Sequence, residues 1–246
     1  MYLEKIDVVK LSKIVLAHLS IMDYEQHRGY SSVQLIFPMK IQANGTKHKD
    51  RISEQELRLL FIEEFKEIYK EFFYSIETPT IFKHSFGKLY EDIKSDGSGQ
   101  SASIDMCIFK RVSDRYHRIL NIEFKSKNPQ IKGIGKDVLK LIAEEHNGAF
   151  IHLLDNSNKG TLCNVNETGV FNKFHHSFSR FQGNWINEHK SIQLIIISLK
   201  QKIIIHRKIK KSDLKNLKSI FFIESGCGNI EDVKGNGWMT ETIIKE

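Results

Sequence analysis

Two apolar stretches with acidic residues inside them constrain this chain more than any other feature. One is Ser103-Ile104-Asp105-Met106-Cys107-Ile108-Phe109. The other is Ile119-Leu120-Asn121-Ile122-Glu123-Phe124-Lys125. Both read as strands, at about 103–110 and 118–125, and Ser113-Asp114-Arg115 between them suits a hairpin turn. A carboxylate among Ile, Met and Phe needs a reason to face inward, or else it marks the end of a sheet. Alternation puts Glu123 and Lys125 on one side of their strand. Asp105 would come to the same edge from its neighbour.

The flanking pattern supplies the rest of an α/β core. Apolar positions from Leu3 to Met22 predict one helix or two short ones over 3–22. Residues 33–41 suit an extended segment, with Pro38 arguing for a sheet edge, and Asn44 to Asp50 suit a loop. Ser53 with Glu56 three positions later forms a capping-box signature, and Leu57, Leu60, Phe61, Phe65, Ile68 and Phe72 continue one face, predicting a helix over 54–73. A strand is expected over 80–86, a mobile loop over 94–103, a helix over 135–146 and a strand over 149–154. Helix, three strands, helix, strand is the order of a mixed sheet flanked by helices. The stripe Phe171, Phe174, Phe178, Phe181, Trp185 predicts a core-facing helix. Strands follow at 192–199 and 202–209, joined at Lys200-Gln201. The organisation is then an N-terminal helical and extended segment over 1–50, a core over 51–156, and a C-terminal α+β extension over 157–246 that could complete the same domain.

With 37 Lys and Arg against 30 Asp and Glu, the chain carries a formal charge of +7, which favours an acidic partner such as nucleic acid. Lys208, Lys210, Lys211, Lys215 and Lys218 form a basic segment, a solvated helix face or a phosphate-contacting surface. Cys107, Cys163 and Cys227 show no zinc-knuckle or thioredoxin spacing. Their odd number fits a reducing cytoplasm better than a disulfide framework. No apolar run approaches membrane-spanning length and no signal-peptide pattern is present, so a cytoplasmic protein without membrane contact is expected.

The acidic pair defines the candidate chemistry. Asp105 and Glu123 are hard oxygen ligands suited to Mg²⁺, the Phe124 carbonyl is a further candidate ligand, and Lys125 could orient water or stabilise phosphate charge. The alternative is structural: Asp105 caps a bend, and Glu123 and Lys125 form an exposed pair. Adjacent His175 and His176 lack a metalloprotease pattern, Ser53 and Ser126 lack a supporting base, and Gly133-x-Gly135-Lys136 is too short for a phosphate-binding loop.

Asp105 followed by Glu123-Phe124-Lys125 resembles the central pattern of the PD-(D/E)xK nuclease superfamily. The helix after it and the strand near Ala149 match the superfamily's order. Ser53-Glu54-Gln55-Glu56-Leu57-Arg58-Leu59-Leu60 is similar to the opening helix of archaeal Holliday-junction resolvases, which carries a metal-holding role onto Glu54, with Glu64 as its rival. The resemblance covers roughly residues 50–155. It departs from the small resolvases in the extra strand and long loop between Glu54 and Asp105, and in the continuation past Ala149. It implies a restriction-endonuclease-like fold and a Mg²⁺-dependent DNA endonuclease of restriction or repair type, with Mn²⁺ as substitute. Glu54, Asp105, Glu123 and Lys125 are then catalytic, and Glu54, Asp105, Glu123 and Phe124 hold metal. Lys127, Gln130, Lys132 and Lys136 are candidate phosphate contacts. A homodimer or a defence-complex partner is a further expectation. The competing readings are a nucleic-acid-binding protein that keeps the fold without cutting, and a subunit of a defence complex.

Overall fold

An eight-stranded mixed sheet organises the computed structural model of the chain, which describes residues 6–37, 40–41, 47–48, 52–158 and 160–243. The elements are α1 (Val8–Gln26), β1 (Lys40–Ile41), β2 (Lys47–His48), α2 (Glu54–Ile68), β3 (Phe72–Ser85), β4 (Lys94–Ser95), β5 (Gln100–Val112) and β6 (Arg115–Ser126). They continue with α3 (Ile131–Ala143), β7 (Asn147–Leu154), α4 (Val170–Phe181), β8 (Ser191–Ser198), β9 (Ile203–Lys210), α5 (Leu217–Ile220) and β10 (Met239–Thr242). Among the described residues β1 and β2 pair with each other alone. The large sheet runs β10-β9-β8-β7-β6-β5-β3-β4. The β6–β7 and β7–β8 pairs are parallel and the others antiparallel. β8, β9 and β10 therefore hydrogen-bond into the same sheet as the acidic strands.

Two crossovers, β6–α3–β7 and β7–α4–β8, step across the sheet in one direction. Crossovers of one hand that step the same way put their helices on one face. α3 and α4 pack there over Phe150, Leu194 and Ile205, with Phe171, Phe174 and Phe178 buried among them. The aromatic stripe is thus core, although Trp185 lies beyond the end of α4. On the other face α1 and α2 cover Met106, Ile108, Ile122, Phe124, Ala149 and Ile151. Strands covered on both faces read as near-continuous apolar runs, as β8 does in Ile192 to Ile197.

Several boundaries differ from the sequence expectation. α1 starts at Val8, where Asp7 caps it by accepting from the Lys10 amide at 2.9 Å, and it runs on to Gln26. α2 has its capping box, with Glu56 accepting from the Ser53 amide at 2.7 Å, but stops at Ile68. Phe72 and Phe73 instead open β3, because Phe72 pairs across to Lys110. That strand has 14 residues and reaches Ser85. Between Pro79 and Lys83 its register slips, and Glu144 fills the gap by accepting from the Ile81 amide at 2.7 Å. Glu144 is fully buried, and Arg118 neutralises it at 2.9 Å.

α3 begins at Ile131, earlier than expected, and includes both glycines. A side chain at Gly135 would meet the Tyr90 ring at 2.6 Å, so this position needs glycine for helix packing. Lys47 and His48 pair with β1, although they fall in the stretch expected to be a loop. Pro38, Asn44 and Asp50 lie outside the described residues. Cys163 and Cys227 form a disulfide with a Cα separation of 5.7 Å, which corrects the expectation of unpaired thiols. Cys107 is free and buried. Odd cysteine number could not reveal this, because the pair is 64 residues apart in sequence. Among the described residues no helix is long and apolar enough to cross a membrane.

The Phe61 and Phe124 rings meet edge-to-face at 5.3 Å, pinning α2 against β6. Both side chains are fully buried. Phe61→Ala is expected to cost about 3–5 kcal/mol, measured by urea denaturation. A loss under about 1 kcal/mol would show that this contact does not hold the helix to the sheet.

Candidate functional site

The acidic strands part where the site begins. Met106 faces Ile122 in the β5–β6 ladder, and Asp105 and Glu123 stand one residue beyond. There the Phe124 amide donates to Asp105 Oδ2 at 2.7 Å. A side-chain carboxylate takes the place a strand carbonyl would otherwise hold, which opens a fork at this end of the sheet.

Alternation settles the faces. Met106, Ile122 and Phe124 point into the core under α1 and α2. Asp105, Glu123 and Lys125 alternate with them and point toward α3. Glu123 is fully buried, with Lys140 of α3 at 2.7 Å from its Oε1. Lys140 also contacts Asp137 Oδ1 at 3.0 Å and donates to the Ser103 carbonyl at 2.8 Å. Lys125 lies 2.8 Å from Asp137 Oδ2 and 3.6 Å from Glu54 Oε2. Glu54 thus reaches the fork from the first turn of α2. Arg58, one turn further on, pairs with Glu77 at 2.7 Å and approaches Asp105 at 4.0 Å.

The structure therefore brings Glu54, Asp105, Glu123 and Lys125 to one end of the β5–β6 pair. Phe124 joins them only through its backbone, since its side chain is core. Asp137 and Lys140 were missed by sequence reasoning. Their signal was a polar pair three residues apart on a helix whose other positions, Ile134, Val138 and Leu141, are buried. Such a pair on the inward face of α3 needs a buried charge opposite it, and Glu123 is that charge.

Burial dominates the electrostatics. It raises the Glu54 carboxyl against the pull of Lys125, with Asp105 and Asp137 adding to the rise. Burial likewise raises Asp105, partly offset by the Phe124 amide. Glu123 is raised well above the usual carboxylate range by burial, with Lys140 opposing. Burial pulls the other way on Lys125 and Lys140, but the carboxylates around each outweigh it and hold both ammonium groups charged. Lys125 is accordingly a cation here and not a base. His84 of β3 is buried, and it is pushed down to about 4 by burial and by Lys140.

Other candidates are placed elsewhere. Glu64 pairs with His18 of α1 at 3.2 Å, so it is not the helix carboxylate of the fork. Lys127 has φ +63° and turns the chain out of β6, its carbonyl accepting from His152 Nε2 at 2.5 Å. Lys132 donates to the Lys88 carbonyl at 2.7 Å, and Lys136 sits over the Phe86 ring at 5.0 Å. Gln130 is the first flanking residue of α3 and makes no capping bond. His176 pairs with Glu167 at 2.9 Å. Lys208 lies three strands from Glu123, through Gln193 and Ala149 to Ile122. Alternation with Ile204 also puts it on the opposite sheet face. Lys211 pairs with Glu188 at 2.7 Å and Lys218 with Glu224 at 3.4 Å, past the far end of β9. The basic segment does not line the fork.

Carboxylates and a backbone carbonyl are the donor set that hard divalent ions take, although Glu123 Oε1 already has the Lys140 ammonium beside it at 2.7 Å. The fork fits such an ion in its donor set. Among the described residues no three His, Cys, Asp or Glu side chains stand together at metal-holding spacing. Lys125 and Lys140 lie between the carboxylates instead. Comparison with known family models, characterised proteins and solved structures finds no match to this chain.

The neutral His152 behind the site gives a measurable pH dependence. Burial pushes it from 6.5 to about 4, so only the unfolded chain takes up this proton between those values. Its contribution is intact above 6.5 and is lost as pH falls through 4. The expected loss is about 3 kcal/mol. Urea denaturation at pH values across this window should show His152→Asn losing less stability than wild type on acidification. Equal slopes would rule out His152 as the source.

Proposed function

We propose that the protein is a divalent-metal-dependent endonuclease of the PD-(D/E)xK type that hydrolyses phosphodiester bonds in DNA, on a restriction-endonuclease-like core. The observation that carries this reading is the meeting of Glu54, Asp105, Glu123 and Lys125 at the fork of β5 and β6. Their order along the chain, from helix to strand to strand, is the order the sequence resemblance calls for.

Asp105, Glu123, the Phe124 carbonyl and Glu54 are the residues that would hold Mg²⁺, or Mn²⁺ in its place. When bound, the ion supplies Lewis-acid polarisation of the phosphate and acidifies water. Lys125 does the remaining work as a cation. Its ammonium donates to the attacking water and to a phosphate oxygen, orienting one and stabilising the charge that develops on the other. Asp137 holds that ammonium from behind at 2.8 Å. Arg58 adds positive charge at the mouth of the fork.

An open cleft of about 710 Å³ adjoins the turn after β6, lined in part by Lys88, Gln130, Lys132 and Lys173. Lys132 donates there to the Lys88 carbonyl, and Lys173 donates to Asn128 Oδ1 and the Pro129 carbonyl, so both ammonium groups are held in the cleft wall. One centre cuts one strand, so duplex cleavage calls for a homodimer or for sequential cuts. A restriction or repair role in the cytoplasm is the setting this chemistry suits.

Purified protein with Mg²⁺ or Mn²⁺ is expected to cleave DNA, tested on duplex, branched and single-stranded substrates. Asp105→Ala and Lys125→Ala should each lower the rate at least about 100-fold. Wild type that cuts none of them, or cuts no faster than the variants, rejects the proposal. A second reading, a nuclease-like fold that binds without cutting, draws on the ammonium groups lying between the carboxylates. It calls for salt-sensitive DNA binding that survives Asp105→Ala and brings no cleavage.

A further inference from the structure

Lys140 occupies a cage of three oxygens. Its ammonium is buried, and its three neighbours are Glu123 Oε1 at 2.7 Å, the Ser103 carbonyl at 2.8 Å and Asp137 Oδ1 at 3.0 Å. Two carboxylates and a backbone carbonyl are hard donors, equally suited to an ammonium or to a divalent ion. These donors come from three elements: β5 at the fork, β6, and α3 itself. The helix is held so that its own Asp137 and Lys140, three residues apart, complete the cage. Glu123 is shared between this cage and the fork where Asp105 lies.

We propose that Lys140 is a built-in replacement for a second metal ion, so that the site takes one divalent cation and not two. This rests on the metal-dependent reading above. The geometry supports it: the Lys140 ammonium fills the space between Glu123, Asp137 and the Ser103 carbonyl, and its removal vacates a cage whose donors are already positioned. Lys125 cannot take over that place, because its ammonium is engaged by Asp137 Oδ2 and Glu54 on the other side of Asp137. Lys140 is accordingly a positioning residue: it fixes the Glu123 carboxylate and bars one cation position.

Mn²⁺ binding to the full chain, counted from the electron paramagnetic resonance of the free ion, tests this without reference to activity. Wild type is expected to bind one ion, Lys140→Arg one, and Lys140→Gln two. Two ions on wild type, or no additional ion on Lys140→Gln, overturns the inference. No ion on wild type but one on Lys140→Gln overturns the one-ion count and with it the metal-dependent reading of the fork. No ion on either protein overturns both. Thermal melting guards against a variant that does not fold. Should Lys140→Gln lose its cooperative transition in chelator, its return with Mn²⁺ supports the inference, and its continued absence overturns it.

Discussion

A fully buried glutamate governs this structure. Glu123 sits on a central strand of a sheet covered on both faces, where an isolated carboxylate would cost several kcal/mol. The chain meets that cost with charge from α3. Lys140 approaches Glu123, Asp137 holds Lys140, and Lys125 closes the set from the same strand as Glu123. These contacts hold α3 against β6, beside the apolar packing of Ile134, Val138 and Leu141. The ion-pair set thus holds the helix and defines the candidate site together.

The same constraint explains why the fork lies where it does. Asp105 accepts the Phe124 amide and so replaces a ladder bond at the point where β5 leaves β6. A strand that continued its pairing would seal the edge. Parting there leaves Ser103 facing Lys140 and Asp105 facing Arg58, and gives Glu54 a path from α2. On the opposite face Phe61 against Phe124 holds the strand rigid behind this opening. A polar opening on one face is thus backed by an apolar anchor on the other, through consecutive residues of one strand.

Much of the fold was legible along the chain. Short apolar runs exposed β5, β6, β8 and β9, and the capping box located the start of α2 to the residue. The end of α2 was not legible, because Phe72 continues the helical stripe and only its pairing with Lys110 makes it strand. The early start of α3 was hidden by two glycines that read as a turn, one of them required by the Tyr90 ring. The disulfide between Cys163 and Cys227 depends on packing of α4 against the C-terminal segment, which spacing does not encode. The basic segment from Lys208 read as a solvated helix face or a phosphate surface, and register carries Lys208 to the other face of the sheet and the segment after it to the other end.

By itself the sequence determined the residue chemistry of the site: an acid on one strand, an acid and a lysine in phase on the next, and an acid opening a helix. Local periodicity is enough for that, since it depends only on neighbours along the chain. The tertiary structure alone decided that α3 completes the set. Asp137 and Lys140 look like ordinary helix charges until the crossover lays them against Glu123. Removing a buried charge from water forces a partner upon it, and that partner is selected by proximity in space and not in sequence.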